Sequence, residues 1–293
     1  MSGVEVCELL EDNQGLRDSV SVLSQLGKAP RYVGGTLVEG FCKRRNDEFP
    51  LVTIVTVVFD GESSIEATIQ SVINQSYTNV EYIIVDGGSR DGTVDKIREY
   101  DSYIDLWISD KDAGIYDAMN KAITLASGEW LNFMNCGDVF TSKEIVADIV
   151  ALSQKEDENI SVIYSDTFFE FNSGVEIFVC EKNKMKVIHQ SIFYKKYLHE
   201  KYGLKYLVYN GFTTSDYLFF KSIASEHWFK CDFNISKCSP YGISSGEKTF
   251  RNKWLLNLML DNISNSMVFA MICVHPFYRF LKILLRKLIF SRY

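Results

Sequence analysis

Residues 51–138 predict an α/β fold: a mostly parallel sheet with helices on both faces. Short β-branched apolar runs alternate with helical patterns, as they do where parallel strands are joined by helical crossovers. Aspartates follow successive runs, and in such sheets ligands gather beyond the carboxyl ends of the strands.

LVTIVTVV (51–58) is short, apolar and β-branched, and so reads as a strand buried on both faces. Asp60-Gly61 turns the chain. Ser63-x-x-Glu66 then has the form of a capping box, ahead of a helix whose apolar face is Ile65, Ile69, Val72 and Ile73. EYIIV (81–85) is the second strand, DGGSRDGT (86–93) its turn, and Val94 and Ile97 mark a short helix before the third strand, IDLWIS (104–109). After DKDAG, a third helix carries Ile115, Met119, Ala122, Ile123 and Ala126 on one side, with Gly128 as its expected C-cap. WLNFM (130–134) is the fourth strand and ends in Asn135-Cys136-Gly137-Asp138.

Around this core, residues 1–49 read as an N-terminal extension and 50–140 as the ligand-binding half. Residues 141–250 form a mixed α+β half, and 251–293 a helical tail. The second half is expected to hold a helix near 142–154, a strand in SVIYSD (161–166), a hairpin around Asn172-Ser173-Gly174 and a strand over KVIHQSIFY (186–194).

A chain of 293 residues, 46% of them hydrophobic, buries a substantial core, which excludes disorder as its main state. The formal net charge of -7 argues against a nucleic-acid partner. The cysteines form no C-x-x-C pair or zinc spacing, and the N-terminus lacks a basic start and apolar stretch, so a cytoplasmic protein with reduced thiols is expected. No apolar run reaches the ~18–20 residues that span a bilayer. The segment 276–293 carries Arg279, Lys282, Arg286, Lys287 and Arg292 and no acid, which predicts a basic amphipathic helix suited to an anionic membrane surface.

Asp60, Asp86, Asp110, Asp112 and Asp138 all fall at strand ends. Gathered carboxylates are costly unless cations or hydrogen-bond donors sit among them, and a metal-bound nucleotide diphosphate supplies both. An aspartate can accept the imide N–H of uracil, and a carboxylate at a strand end can hold a divalent cation against phosphates. Taken singly, each aspartate also fits a turn or a helix cap.

The stretches VTIVTVVFDGESSIEATIQSVINQSYTNVEYIIVDGGSRDGT and DKDAGIYDAMNKAITLASGEWLNFMNCGD resemble, in order and spacing, the N-terminal domain of bacterial family 2 glycosyltransferases with the GT-A fold. The resemblance implies transfer of a sugar, with inversion, from a nucleotide-diphosphate-sugar donor, UDP-sugar favoured. The acceptor is a saccharide or lipid-linked saccharide in surface polysaccharide assembly. Carried over by position, Phe59, Asp60 and Ser89 belong to the loops over the nucleoside, and Asp86 partners the base. Asp112, Gly114, Asn120 and Lys121 border the nucleotide and diphosphate, although Asp117, Asn120 and Lys121 equally fit a helix surface with local pairing. Asp138 matches the last carboxylate of the motif that ligates Mn2+ or Mg2+. Cys136 and Gly137 provide no earlier carboxylate, which leaves Asn135 as its possible aid.

Inverting transfer needs a base to take the acceptor's proton. Asp216, in TTSDYLFF, resembles the aspartate in that role and otherwise fits a helix cap; Asp166 is the second candidate. His189-Gln190 resembles a short element ahead of that aspartate, where the imidazole would reach phosphate or metal or else serve as a structural histidine. FDGESS lacks the glycine pattern of a dinucleotide oxidoreductase and the basic loop of a nucleotidyltransferase. A nucleotide-sugar-binding protein without turnover is the remaining alternative.

Overall fold

The computed structural model describes residues 22–41, 43, 49–155, 159–182, 186–201, 205–208 and 214–239. Its centre is β2 (Val52–Val58), in which every residue is buried, because its β-branched side chains are covered on both faces. Helix α1 (Ile65–Ile73) leads to β3 (Val80–Asp86), and α2 (Thr93–Glu99) to β4 (Leu106–Ser109). Then α3 (Ile115–Leu125) crosses to β5 (Trp130–Phe133).

β3 pairs in parallel with β2 and β4, and β5 pairs in parallel with the opposite edge of β2. The strand order therefore reverses between β2 and β5, and a crevice opens at such a switch point beyond the strands' carboxyl ends. Ile65, Ile69 and Val72 of α1 and Ile97 of α2 pack into one apolar cluster. Met119, Ala122 and Ile123 of α3 pack into another, so the sheet is covered on both faces. Each fully buried Val or Ile contributes roughly 1.5–3 kcal/mol relative to exposure.

The remaining strands complete a mixed eight-stranded sheet. β1 (Tyr32–Gly34), from the segment read as an extension, adds an antiparallel edge to β4. β10 (Ile192–Lys195) runs antiparallel to β5 and to β7 (Val162–Tyr164), and β11 (Trp228–Lys230) lies parallel to β7. A smaller sheet has the order β6 (Val139–Phe140), β12 (Ser236–Cys238), β8 (Thr167–Phe171), β9 (Gly174–Phe178). β8 and β9 form the hairpin expected at Asn172–Gly174. α4 (Ile145–Lys155), α5 (Tyr197–Lys201) and α6 (Ser215–Ser222) are the other helices used below.

Three local expectations are corrected. The capping box does not form. Gly61 O accepts the N–H groups of both Ser64 and Ile65 at 2.9 Å, Ser64 is the cap without a side-chain bond, and Glu66 takes the Tyr100 hydroxyl at 2.8 Å. Gly128 does not cap α3, whose cap is Ala126 in an extended conformation. A Cβ on Gly128 would lie 2.6 Å from Thr53 N, so glycine is needed there for close approach to β2. KVIHQSIFY joins the large sheet as a strand only from Ile192. His189–Ser191 is a 3-10 turn, pinned by the buried Asn132, whose Nδ2 donates to Gln190 O at 3.1 Å and Ile192 O at 2.9 Å. Among the described residues no helix is long and apolar enough to cross a membrane, and the basic segment 276–293 lies outside them.

Candidate active site

The loops after β2, β3 and β4 are laced together by their own polar groups. Asp60, at φ 49° in the left-handed region that aspartate tolerates, donates its N–H to Ser89 Oγ at 2.8 Å and accepts Arg90 N–H at 2.8 Å. Beside it Phe59 projects outward, 59% exposed. Asp91 accepts the N–H groups of Glu62 and Thr93, while Glu62 accepts that of Gly92. The carboxylates gathered here are thus largely compensated by backbone donors.

Asp86 has this role most completely. It is 0% exposed, and its Oδ2 accepts Gly88 N–H at 3.1 Å, Ser89 N–H at 3.0 Å and Ser109 Oγ–H at 2.6 Å. The Ser89 hydroxyl fills Oδ1. A carboxylate so enclosed has no edge for a base, which corrects the role expected of Asp86: it fastens the loop. We predict that Asp86→Ala, by stranding these donors, lowers stability by roughly 3–5 kcal/mol. In a thermal melt of a chain this long, that is a fall of roughly 5–8 °C. An unchanged melting point with nucleotide binding lost would restore Asp86 as a ligand contact.

Asn120 also serves the fold. Its Nδ2 donates to Tyr206 O at 2.7 Å and its Oδ1 accepts Tyr206 N–H at 2.8 Å, so the amide clamps the chain that leads toward α6. Lys121 pairs with Asp117 at 3.2 Å on the surface of α3. Gly114, at φ 113°, is the N-cap of that helix, and its N–H binds Asp112 Oδ1 at 2.8 Å.

Beyond β5 the chain brings together residues far apart in sequence. Asp138 is 7% exposed. Its Oδ2 accepts Gln190 Nε2–H at 2.6 Å and its Oδ1 Ser239 N–H at 3.1 Å; burial pushes its carboxyl pKa up, against the pull of these donors. Thr68 fixes the turn, accepting Gly137 N–H at 3.0 Å and donating to Asp138 O at 2.9 Å. Asn135 Nδ2 meets His189 Nε2 at 2.8 Å, and His189 Nδ1 meets Asp216 Oδ2 at 3.1 Å. Tyr116 donates its hydroxyl to Asp216 Oδ1 at 2.7 Å. Burial and then the Asp216 charge hold that phenol well above its usual pKa, so it remains a donor.

Asp216 lies in the first turn of α6, where Thr214 is the cap, and its carboxylate faces His189 and Tyr116. His189 touches Asp216 and Asn135, and Gln190 donates to Asp138, so both belong to this cluster. Asp166 is held elsewhere, accepting Cys180 N–H at 2.7 Å and pairing with Lys230 at 2.6 Å. Tyr116, Thr68 and Asn132 were not singled out from sequence. Tyr116 stands on the α3 segment that carries the apolar pattern, and nothing local signals its partner.

Among the described residues no three His, Cys, Asp or Glu side chains form a metal cluster. The donors that do fit a hard cation are Asp138 and Asn135 Oδ1, which is buried without a hydrogen-bond partner among the described residues. Such a sparse oxygen set suits Mg2+ or Mn2+ bound mainly through substrate phosphates.

The family model for glycosyl transferase family 2 matches residues 53–212. An uncharacterized glycosyltransferase of Mycobacterium tuberculosis is 38% identical over 108 residues, which is 36% of this chain and 41% of that protein. The UDP-Glc:alpha-D-GlcNAc-diphosphoundecaprenol beta-1,3-glucosyltransferase of Escherichia coli is 32% identical over 117 residues, 40% of this chain and 45% of that protein. The chain thus spans less than half the length of these two relatives. Among solved structures, S. aureus TarS 1-349 in complex with UDP-GlcNAc matches with a TM-score of 0.60 at 15% identity, over 74% of this chain and 69% of that one. Glucosyl-3-phosphoglycerate synthase from Mycobacterium tuberculosis, in complex with Mn2+, UDP and glucosyl-3-phosphoglycerate, matches with a TM-score of 0.53 at 14% identity, over 73% of this chain and 81% of that one. At these identities the likeness shows the fold, GT-A.

Proposed function

Because the chain belongs to glycosyl transferase family 2, we propose that it is an inverting glycosyltransferase, moving a sugar from a UDP-sugar to a saccharide or lipid-linked saccharide acceptor in surface polysaccharide or glycolipid synthesis. The observation that carries this reading is the chain of contacts Tyr116, Asp216, His189 and Asn135 beside Asp138, at the point where the strand order reverses. It connects a fixed carboxylate, through His189 and Asn135, to the turn that carries a second, buried one, at the sheet edge where a nucleotide donor is bound in folds of this kind.

In the proposed reaction the acceptor hydroxyl oxygen attacks the anomeric carbon. The bond from that carbon to the diphosphate breaks, its electron pair leaves with UDP, and Asp216 takes the hydroxyl proton. Tyr116 and His189 orient Asp216, and Asn132 holds the turn bearing His189 and Gln190. Asp138 and Asn135 would hold Mn2+ or Mg2+, which supplies positive charge against the leaving diphosphate. Phe59, Asp60 and Ser89 form the wall of the nucleoside site, with Gly114 and Lys121 on the diphosphate side. The E. coli relative, whose name specifies a UDP-sugar and a diphosphoundecaprenol-linked acceptor, supports the substrate classes. The Mn2+ complex of the structural relative supports the metal.

A cytoplasmic enzyme held at the inner face of the membrane by residues 276–293 would meet such an acceptor. The full chain should co-sediment with anionic liposomes in a salt-sensitive way, and a chain ending at Val274 should not.

Donor hydrolysis tests the reaction. Purified full-length chain, incubated with a panel of UDP-sugars and Mn2+, is expected to release UDP above the uncatalysed background. Nucleotide binding without UDP release from any donor, with or without a lipid-linked acceptor extract, would instead favour a binding protein that lacks turnover.

A further inference from the structure

With Asp86 enclosed, a different carboxylate faces the nucleoside site. We propose that Asp112, seated over the side-chain-free Gly87, is the residue that reads the base, and that it selects one carrying an imide N–H, such as uracil. This deepens the proposed function and rests on it.

The loops after β3 and β4 touch through backbone. A Cβ on Gly88, whose φ is 82°, would lie 3.1 Å from Lys111 N, and a Cβ on Gly87 would lie 2.7 Å from Asp112 Oδ2. The bare backbone at Gly87 is what admits the Asp112 carboxylate, and any larger residue there would displace it. Asp112 is partly buried. Its Oδ1 is committed to Gly114 N–H, while Oδ2 has no hydrogen bond among the described residues. Burial, opposed by the Gly114 N–H, pushes its carboxyl pKa up.

One available oxygen asks for one donor. Uracil presents a single N3–H between two carbonyls. Guanine presents two parallel donors, N1–H and the exocyclic amine, which match a carboxylate with both oxygens open. Cytosine and adenine set their amine beside a ring nitrogen lone pair, which a carboxylate repels. Phe59, on the neighbouring loop, offers an exposed ring against which a base can lie.

The probe is N3-methyluridine diphosphate, which differs from UDP at the imide. By calorimetry with Mn2+, the full wild-type chain is expected to bind it about ten- to a hundredfold more weakly than UDP, the range for a hydrogen bond to a charged acceptor. Asp112→Ala should bind the two alike, with a melting point showing that it is folded. Equal affinity of the wild-type chain for UDP and its N3-methyl derivative, or tighter binding of GDP than UDP, overturns the assignment of Asp112 and leaves the proposed function standing. Absence of binding by any nucleoside diphosphate overturns the proposed function itself.

Discussion

Asp216→Asn is expected to keep nucleotide affinity within a few-fold of the parent and to lose transfer by roughly a hundred- to ten-thousandfold, the range for removing a general base. The amide preserves the shape of the carboxylate and can still accept the Tyr116 hydroxyl, now 2.7 Å from Oδ1, so the site stays assembled. What it loses is the ability to take a proton. A titration with UDP alongside steady-state transfer separates the two effects, because an interaction made only in the transition state lowers kcat without weakening donor binding. Transfer at the parental rate would move the base elsewhere, and Asp166 would be the next residue to replace.

Asp138→Asn is expected to act in opposite directions on activity and stability. Turnover should fall on the order of a hundred- to a thousandfold, because charge stabilisation at the leaving diphosphate is weakened. The metal-free fold should become more stable at neutral pH. Burial raises the Asp138 carboxyl pKa above its unfolded value, so the folded chain binds this proton more tightly than the unfolded chain. The corresponding stability is fully present below the unfolded pKa and is lost as pH rises through the folded one, where a charge must be held with little water around it. Asparagine carries no such charge, and Gln190 can turn its amide to accept from it. Melting curves in chelator across acid and neutral pH should therefore show the variant above the parent at neutral pH, with the gap closing toward acid. A parent that melts higher at neutral pH would show that Asp138 is held as a favourable structural ion.

The parallel core was legible because β2 to β5 are buried strands whose apolar runs, β-branched in β2 and β3, stand out from the turns between them. The hairpin at Asn172–Gly174 was legible for a similar reason, since its turn residues interrupt two strand-like runs. Helix ends were read less well. Ser63 and Glu66 had the right spacing, but the Gly61 carbonyl and the Tyr100 hydroxyl were better partners, and one of those lies 34 residues away in sequence. At the site, residue types were easier to read than their commitments. Asp86 and Asn120 carry suitable groups, yet both are engaged by neighbours that only the folded chain supplies. Tyr116 and Asp216 are separated by 100 residues, and Thr68 and Asp138 by 70, so no local pattern announces either pair. Gly87 was passed over because an absent side chain shows its purpose only when the approaching Asp112 is seen.

The central claim is that the edge beyond β2, β3, β4 and β5 binds a nucleoside diphosphate beside Asp138. Calorimetric titration of the full chain with UDP, in Mn2+ and then in chelator, tests it most directly. The account predicts a single site that binds UDP in Mn2+ and weakens markedly in chelator. Absence of UDP binding in either condition would contradict it.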